Sequence, residues 1–223
     1  MTELPPLSPT GRTTLGRKKI RAVTDRATLY SVLDEALICH LGVVRDGVPM
    51  VVPTGYGRDG DTLYLHGSTG AASMRKAATG IEVCVTVTLL DGIVYARSVN
   101  NHSMNYRSAM VYGEAKPVTE PEAKMHALHV ISDHLAPGSW EHARDVNAKE
   151  FAAVSVLALD LAEASVKMRA EGPGDEPEDL EANSAWAGVL PVYTVFGEPE
   201  SDKEVPPVVP VPAHVSGRGA AGR

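Results

Sequence analysis

Three tight turn signals set between alternating apolar runs constrain this chain more than any other feature. Asp46-Gly47, Asp59-Gly60 and Asp91-Gly92 each suit a positive-φ hairpin turn, and each separates segments rich in Val, Leu, Ile and Thr. The flanking segments read as strands over residues 37–45, 48–57, 62–67, 81–90 and 93–98, with a sixth over 106–117. Strands joined this closely are antiparallel neighbours, so the pattern predicts a mainly β fold with helices (α+β), built on a closed or nearly closed six-stranded antiparallel barrel. A further run over residues 154–168, alternating through Leu157, Leu159 and Leu161, returns to that barrel.

Helices punctuate the strands. Asp25 caps a helix whose Leu29, Val32, Leu33 and Ala36 share one face. Thr119-Glu120-Pro121-Glu122 is a capping-box start, followed by Leu128, Ile131 and Leu135 at helical spacing. His126, His129 and His134 on that helix read as surface histidines, and no metal site is expected. A short helix is expected over residues 140–149, and the carboxylate-rich span 171–181 reads as a solvated loop. Residues 1–22 form an N-terminal arm, 23–198 one domain, and 199–223 a flexible Pro/Gly-rich tail.

Composition narrows the function classes. A formal net charge of -7 argues against a general nucleic-acid binder, although Arg12, Arg17, Lys18, Lys19 and Arg21 make the arm locally basic. Cys39 and Cys84 sit in apolar runs and read as free thiols. With no membrane-spanning apolar run and no signal-like segment, a cytoplasmic protein acting on a small molecule is expected.

The chemistry concentrates over residues 63–76, where a strand enters the turn Gly67-Ser68-Thr69-Gly70 and then a helix expected over 69–79. Ser68, Thr69 and Ser73 offer hydroxyls, Arg75 a planar fork and Lys76 a mobile charge, a set suited to a phosphate monoester. A capped surface helix with solvated cations is the competing reading. It is not a Walker loop, because Lys76 follows Arg75 and precedes Ala77. Gly55-Tyr56-Gly57-Arg58-Asp59-Gly60 spells GxGxxG but leads into a strand, so a dinucleotide fingerprint fails on context.

Taken in order, Pro53-Thr54-Gly55-Tyr56, Leu63-Tyr64-Leu65-His66-Gly67-Ser68, Asn105-Tyr106-Arg107-Ser108, Val111-Tyr112-Gly113, Lys167-Met168-Arg169 and Trp186-Ala187-Gly188-Val189-Leu190-Pro191 carry a resemblance. The chain resembles the FMN-binding split-barrel proteins related to pyridoxamine 5′-phosphate oxidase, in the flavin-nucleotide-binding or nitroimidazole-resistance-like branch. The resemblance implies a six-stranded split β-barrel that forms a two-fold homodimer with FMN at the subunit interface. On this chain it implies that Ser73, Arg75 and Lys76 hold the FMN phosphate with Ser68 assisting, that Gly67 also belongs to the cofactor site, and that Pro53, Thr54, Gly55 and Tyr56 run beside the isoalloxazine. His66 would lie near the ribityl chain, Ser108 with Tyr106 and Arg107 near the ring, and Trp186 over the flavin from the other subunit. Lys167 and Arg169 would approach from the same C-terminal part. It further implies an oxidoreductase, with His66 and His102 as candidate proton sources. The C-terminal Arg-x-His pattern that grips pyridoxal phosphate has no equivalent, so true pyridoxamine phosphate oxidation is not expected. The alternatives are a non-catalytic flavin- or haem-binding protein and a deazaflavin-dependent reductase.

Overall fold

Strand alternation puts apolar side chains on one face of each sheet, and two sheets close over the core so formed. The computed structural model describes residues 6–7 and 10–218. Among these, the larger sheet orders β1 (Ala22–Val23), β10 (Glu163–Arg169), β7 (Ser103–Glu114), β6 (Glu82–Tyr95), β2 (Cys39–Arg45) and β3 (Val48–Thr54), with β11 (Gly188–Pro191) added along the far end of β6. The smaller sheet orders β4 (Tyr56–Asp59), β5 (Thr62–Ser68), β9 (Val154–Asp160) and β8 (Lys116–Pro117). The pairings are antiparallel.

This corrects the expected single six-stranded barrel: there are sheets of seven and four strands. Three local features explain the difference. The segment expected as one strand over 48–57 breaks at Gly55, and its two halves, β3 and β4, join different sheets. Asp91-Gly92 does not turn the chain; β6 runs through it with a register shift between Leu90 and Gly92, a bulge that absorbs the extra residue. The long strand expected over 154–168 breaks after Asp160 into β9 and β10, which join different sheets, and at the break the Leu161 N–H donates to Asp61 O at 2.9 Å.

The core between the sheets holds Cys39, Leu41, Leu63, Leu65, Val85, Val87, Leu157 and Leu159, and is closed by Leu29, Val32 and Leu33 of α1 (Arg26–Glu35). Asp25 caps α1, accepting from the Ala27 and Thr28 N–H groups as expected. A second, smaller cluster under α3 (Pro121–Leu135) contains Ala127, Leu128 and Val156, with Tyr64, Trp140 and Phe151 packed around it. The α3 cap is Glu120, whose carboxylate accepts from the Ala123 N–H. Gly57 lets β4 lie against α3: a Cβ there would sit 2.6 Å from Val130 O. The helix expected over 140–149 is split into α4 (Ser139–His142) and α5 (Ala148–Ala153). Beyond β11 the chain crosses back to α3, where Arg218 donates to Leu135 O at 2.7 Å and its guanidinium lies 4.1 Å from the Phe196 ring. No described helix is long and apolar enough to cross a membrane.

Candidate functional site

Three groups of residues carry the chemistry, and the fold places each differently. The first lies at the end of β5. Ser68 Oγ accepts from the Gly70 N–H at 3.2 Å, and the Ala71 N–H donates to Ser68 O at 2.9 Å, which turns the chain into α2 (Ala72–Ala77). This helix is only six residues long and has no side-chain cap. Met74 and Ala77 anchor it in the core, and Gly67 is what lets it settle, since a Cβ there would meet Met74 Cγ at 2.8 Å. The remaining surface of α2 carries Ser73, Arg75 and Lys76. Arg75 is exposed and Lys76 half-buried, and neither has a carboxylate partner among the described residues. Hydroxyls and two unpaired cations within one turn make a suitable anion cradle.

The second group lies on the outer face of the larger sheet. Register puts Pro53, His40, Thr86 and Met110 in one row, and Thr88, Ser108 and Lys167 in the next, with Tyr106 beyond them. Ser108 Oγ donates to Lys167 O at 3.3 Å, and Lys167 Nζ lies 6.0 Å from the Tyr106 ring centre. Polar groups and a cation thus interrupt a face that also exposes Val44, Val51 and Leu90. His40, Thr86 and Thr88 were not singled out from the sequence, although the valine/threonine alternation of residues 83–88 marks this face.

The third group turns inward or locks loops. Tyr56 is fully buried; its hydroxyl lies 2.5 Å from Leu33 O and 2.8 Å from Ala36 O, and burial raises its pKa. Arg107 faces α1, paired with Glu35 and, at 2.7 Å, with Asp91 Oδ1. Glu35 first and Asp91 second keep that guanidinium firmly protonated. Gly55 and His66 meet: a Cβ on Gly55 would lie 3.1 Å from His66 Cε1. His66 Nδ1 is buried with no hydrogen-bond partner among the described residues. Thr54 O accepts from the Cys39 thiol at 3.4 Å, and burial pushes that thiol up to about 12. His102 Nδ1 accepts from the Ala96 N–H at 2.9 Å, and the His102, Tyr95 and Trp186 rings follow one another at 5.8 Å and 5.9 Å. Trp186 is 70% exposed.

Residues 25–168 match the family model described as pyridoxamine 5′-phosphate oxidase. Among solved structures, the flavocytochrome Anf3 from Azotobacter vinelandii is 38% identical, with 98% of this chain and 99% of that one covered and a TM-score of 0.88. The FAD and haem binding protein from Mycobacterium smegmatis is 37% identical, with 89% and 97% covered and a TM-score of 0.85. A protein assigned to 5-nitroimidazole antibiotic resistance in Bacteroides thetaiotaomicron is 26% identical, with 66% and 85% covered and a TM-score of 0.57. No curated protein matches the chain.

Proposed function

The chain belongs to the pyridoxamine 5′-phosphate oxidase family, and from that premise we propose that it binds a flavin nucleotide and exchanges electrons with a second reactant. The observation that carries this reading is the unpaired Arg75 and Lys76 beside the Ser68 and Ser73 hydroxyls. Arg75 supplies a fork and Lys76 a point charge for a phosphate, and the two serines can donate to its oxygens. Pro53, Tyr106 and Ser108 share the outer sheet face on which a flat ring can lie, and Lys167 brings a positive charge to that face. Bound there, a flavin supplies the hydride and one-electron chemistry that side chains lack. The protein's part is to grip the phosphate, fix the ring and limit access of water. FMN is the form the short phosphate cradle suits; FAD is the form named for the Mycobacterium smegmatis neighbour.

We further propose that a second copy of the chain covers the outer face, because Val44, Val51, Leu90 and Met110 are exposed together there. Trp186 is then free to reach across the interface.

His66 favours a second reading in which a haem is also bound, as in the neighbours named flavocytochrome and FAD and haem binding protein. Its buried Nδ1 lacks a partner, whereas His134 Nε2 bonds Ala36 O at 2.7 Å and His102 Nδ1 is engaged by a backbone N–H. A haem iron takes an imidazole nitrogen that no other group engages, and ligation through this one would need the His66 ring to turn out of its packing against Gly55.

The test is an absorption spectrum of the purified protein, repeated after addition of FMN, FAD or haemin and desalting. Stoichiometric flavin lost in Arg75→Ala/Lys76→Ala supports the phosphate site. A Soret band lost or shifted in His66→Ala supports the haem reading. Retention of neither chromophore overturns both, and sedimentation of the protein as a monomer overturns the two-fold arrangement.

A further inference from the structure

The basic residues near the N-terminus have no role in the cofactor site, and the structure treats them unequally. Arg12 is pinned to the sheet: it pairs with Glu82 at 2.6 Å and with Glu163, and lies 5.0 Å from the Tyr112 ring centre. Arg21 reaches Glu171 at 3.2 Å. Between these two anchors, Arg17, Lys18 and Lys19 are exposed, and none has a carboxylate partner among the described residues. Lys18 is in the left-handed region at φ 53, entering the 3-10 turn Lys19–Arg21, and Ile20 beside it is 85% exposed. A loop tied at both ends thus holds three cations and one large apolar side chain in solvent, on a chain whose net charge is -7.

The loop's place in the sheet gives this a use. Ala22, directly after it, pairs with Lys167, and Lys167 pairs with Ser108, in one row across β1, β10 and β7. Two strand spacings amount to about 10 Å. The cations therefore leave the sheet edge beside the face assigned above to the flavin ring.

We propose that Arg17, Lys18, Lys19 and Ile20 dock an acidic protein that delivers electrons to the bound flavin. The inference rests on the flavin reading. Two donor molecules, each carrying a one-electron iron–sulfur centre, are oxidised in turn; their two electrons, with protons from water, reduce one oxidised flavin to its dihydro form. Transient electron-transfer contacts are small and governed by charge, so three bare cations around one apolar side chain suffice. An anionic membrane asks for a broader apolar face than Ile20 provides, so lipid binding is an outcome to be tested against.

The probe is an acidic plant-type [2Fe–2S] ferredoxin with the full-length protein. Complex formation is measured first with oxidised ferredoxin, which needs no bound flavin; flavin reduction by reduced ferredoxin is then followed by stopped flow. Between about 0.01 M and 0.1 M salt the screening length shrinks from about 30 Å to about 10 Å, and the bimolecular rate is expected to fall about tenfold or more. Arg17→Glu/Lys18→Glu/Lys19→Glu is expected to abolish complex formation and remove that salt dependence while leaving reduction by dithionite unchanged. The Gln triple variant is expected to fall between, which separates charge from misfolding. Equal ferredoxin affinity in wild type and both variants overturns the proposal. So does loss of binding to phosphatidylserine vesicles in the variants without any change toward ferredoxin. Ferredoxin binding with no flavin to reduce upholds the docking surface and overturns the flavin reading instead.

Discussion

Tyr56→Phe separates a cofactor contact from a core brace. The resemblance puts this tyrosine beside a flavin ring, whereas in the structure it is 0% exposed and its hydroxyl faces the last carbonyls of α1. Those carbonyls have no acceptor role left within the helix, so an outside donor must satisfy them. One hydroxyl proton serves Leu33 O at 2.5 Å and Ala36 O at 2.8 Å, while His134 Nε2 also reaches Ala36 O at 2.7 Å. Removing the hydroxyl therefore orphans Leu33 O alone. A buried carbonyl left unsatisfied costs about 1–3 kcal/mol, and with the ring retained no cavity forms, which favours about 1–2 kcal/mol. For a domain of this size that lowers Tm by about 2–8 °C. The assay is a thermal melt beside a flavin titration, with His134→Ala and the double variant completing a cycle. The Tyr56 and His134 rings are 4.7 Å apart and share an acceptor, so coupling of about 0.5 kcal/mol or more is expected. An unchanged Tm combined with weakened flavin retention would refute the brace and return Tyr56 to the cofactor.

Three further outcomes follow from named contacts. Gly57→Ala places a Cβ 2.6 Å from Val130 O and 2.9 Å from Ile131 Cα, so β4 or α3 must shift; a loss of about 1–3 kcal/mol is expected by urea denaturation. Gly172→Ala, with nothing within 4 Å, is its neutral control. Asn105→Ala removes the acceptor for the buried Arg169 guanidinium, at 2.5 Å, and for the Glu171 N–H, at 3.1 Å, and is expected to cost about 2–3 kcal/mol in the same assay. Glu163 is held below its usual 4.5 by the Arg12 hydrogen bond and then by the Thr10 hydroxyl, against the smaller opposing effect of burial. Its folded value lies below its unfolded one, so its contribution is complete above that usual value and is lost as pH falls through the lowered one. Hydrogen exchange over residues 10–20, corrected for intrinsic rate, is expected to accelerate on acidification in the wild type and to be fast throughout in Glu163→Gln; a pH-independent wild type would refute the anchor.

What the sequence made legible was local. Asp46-Gly47 and Asp59-Gly60 turn hairpins as read, with Gly47 at φ 78 and Gly60 at φ 55, and Asp25 caps its helix. Family membership was legible too, because the motifs that carry it keep their order from residue 53 to 191. Partner choice was not. Nothing local says that β5 pairs with β9, some ninety residues on, or that Gly55 sends the two halves of one apolar run to different sheets. Pairing of that range is settled by the shared core, where Leu63 and Leu65 meet Leu157 and Leu159.

The candidate site was legible to the same depth. Residues 68–76 could be read as a unit because their grouping is sequential; the outer sheet face could not, because it gathers residues from five strands. One part of it was nevertheless within reach. Ala109 and Val111 are buried, so odd positions of β7 face inward, and Tyr106-Arg107-Ser108 cannot all flank one ring. Parity sends Tyr106 and Ser108 outward and Arg107 toward Glu35, where it ties α1 to the β6 bulge through Asp91. Loss of Arg107 should therefore loosen α1 and leave the proposed phosphate site at Ser73, Arg75 and Lys76 undisturbed, and a flavin affinity unchanged in Arg107→Ala against a lowered Tm is the measurement that separates the two faces of one strand.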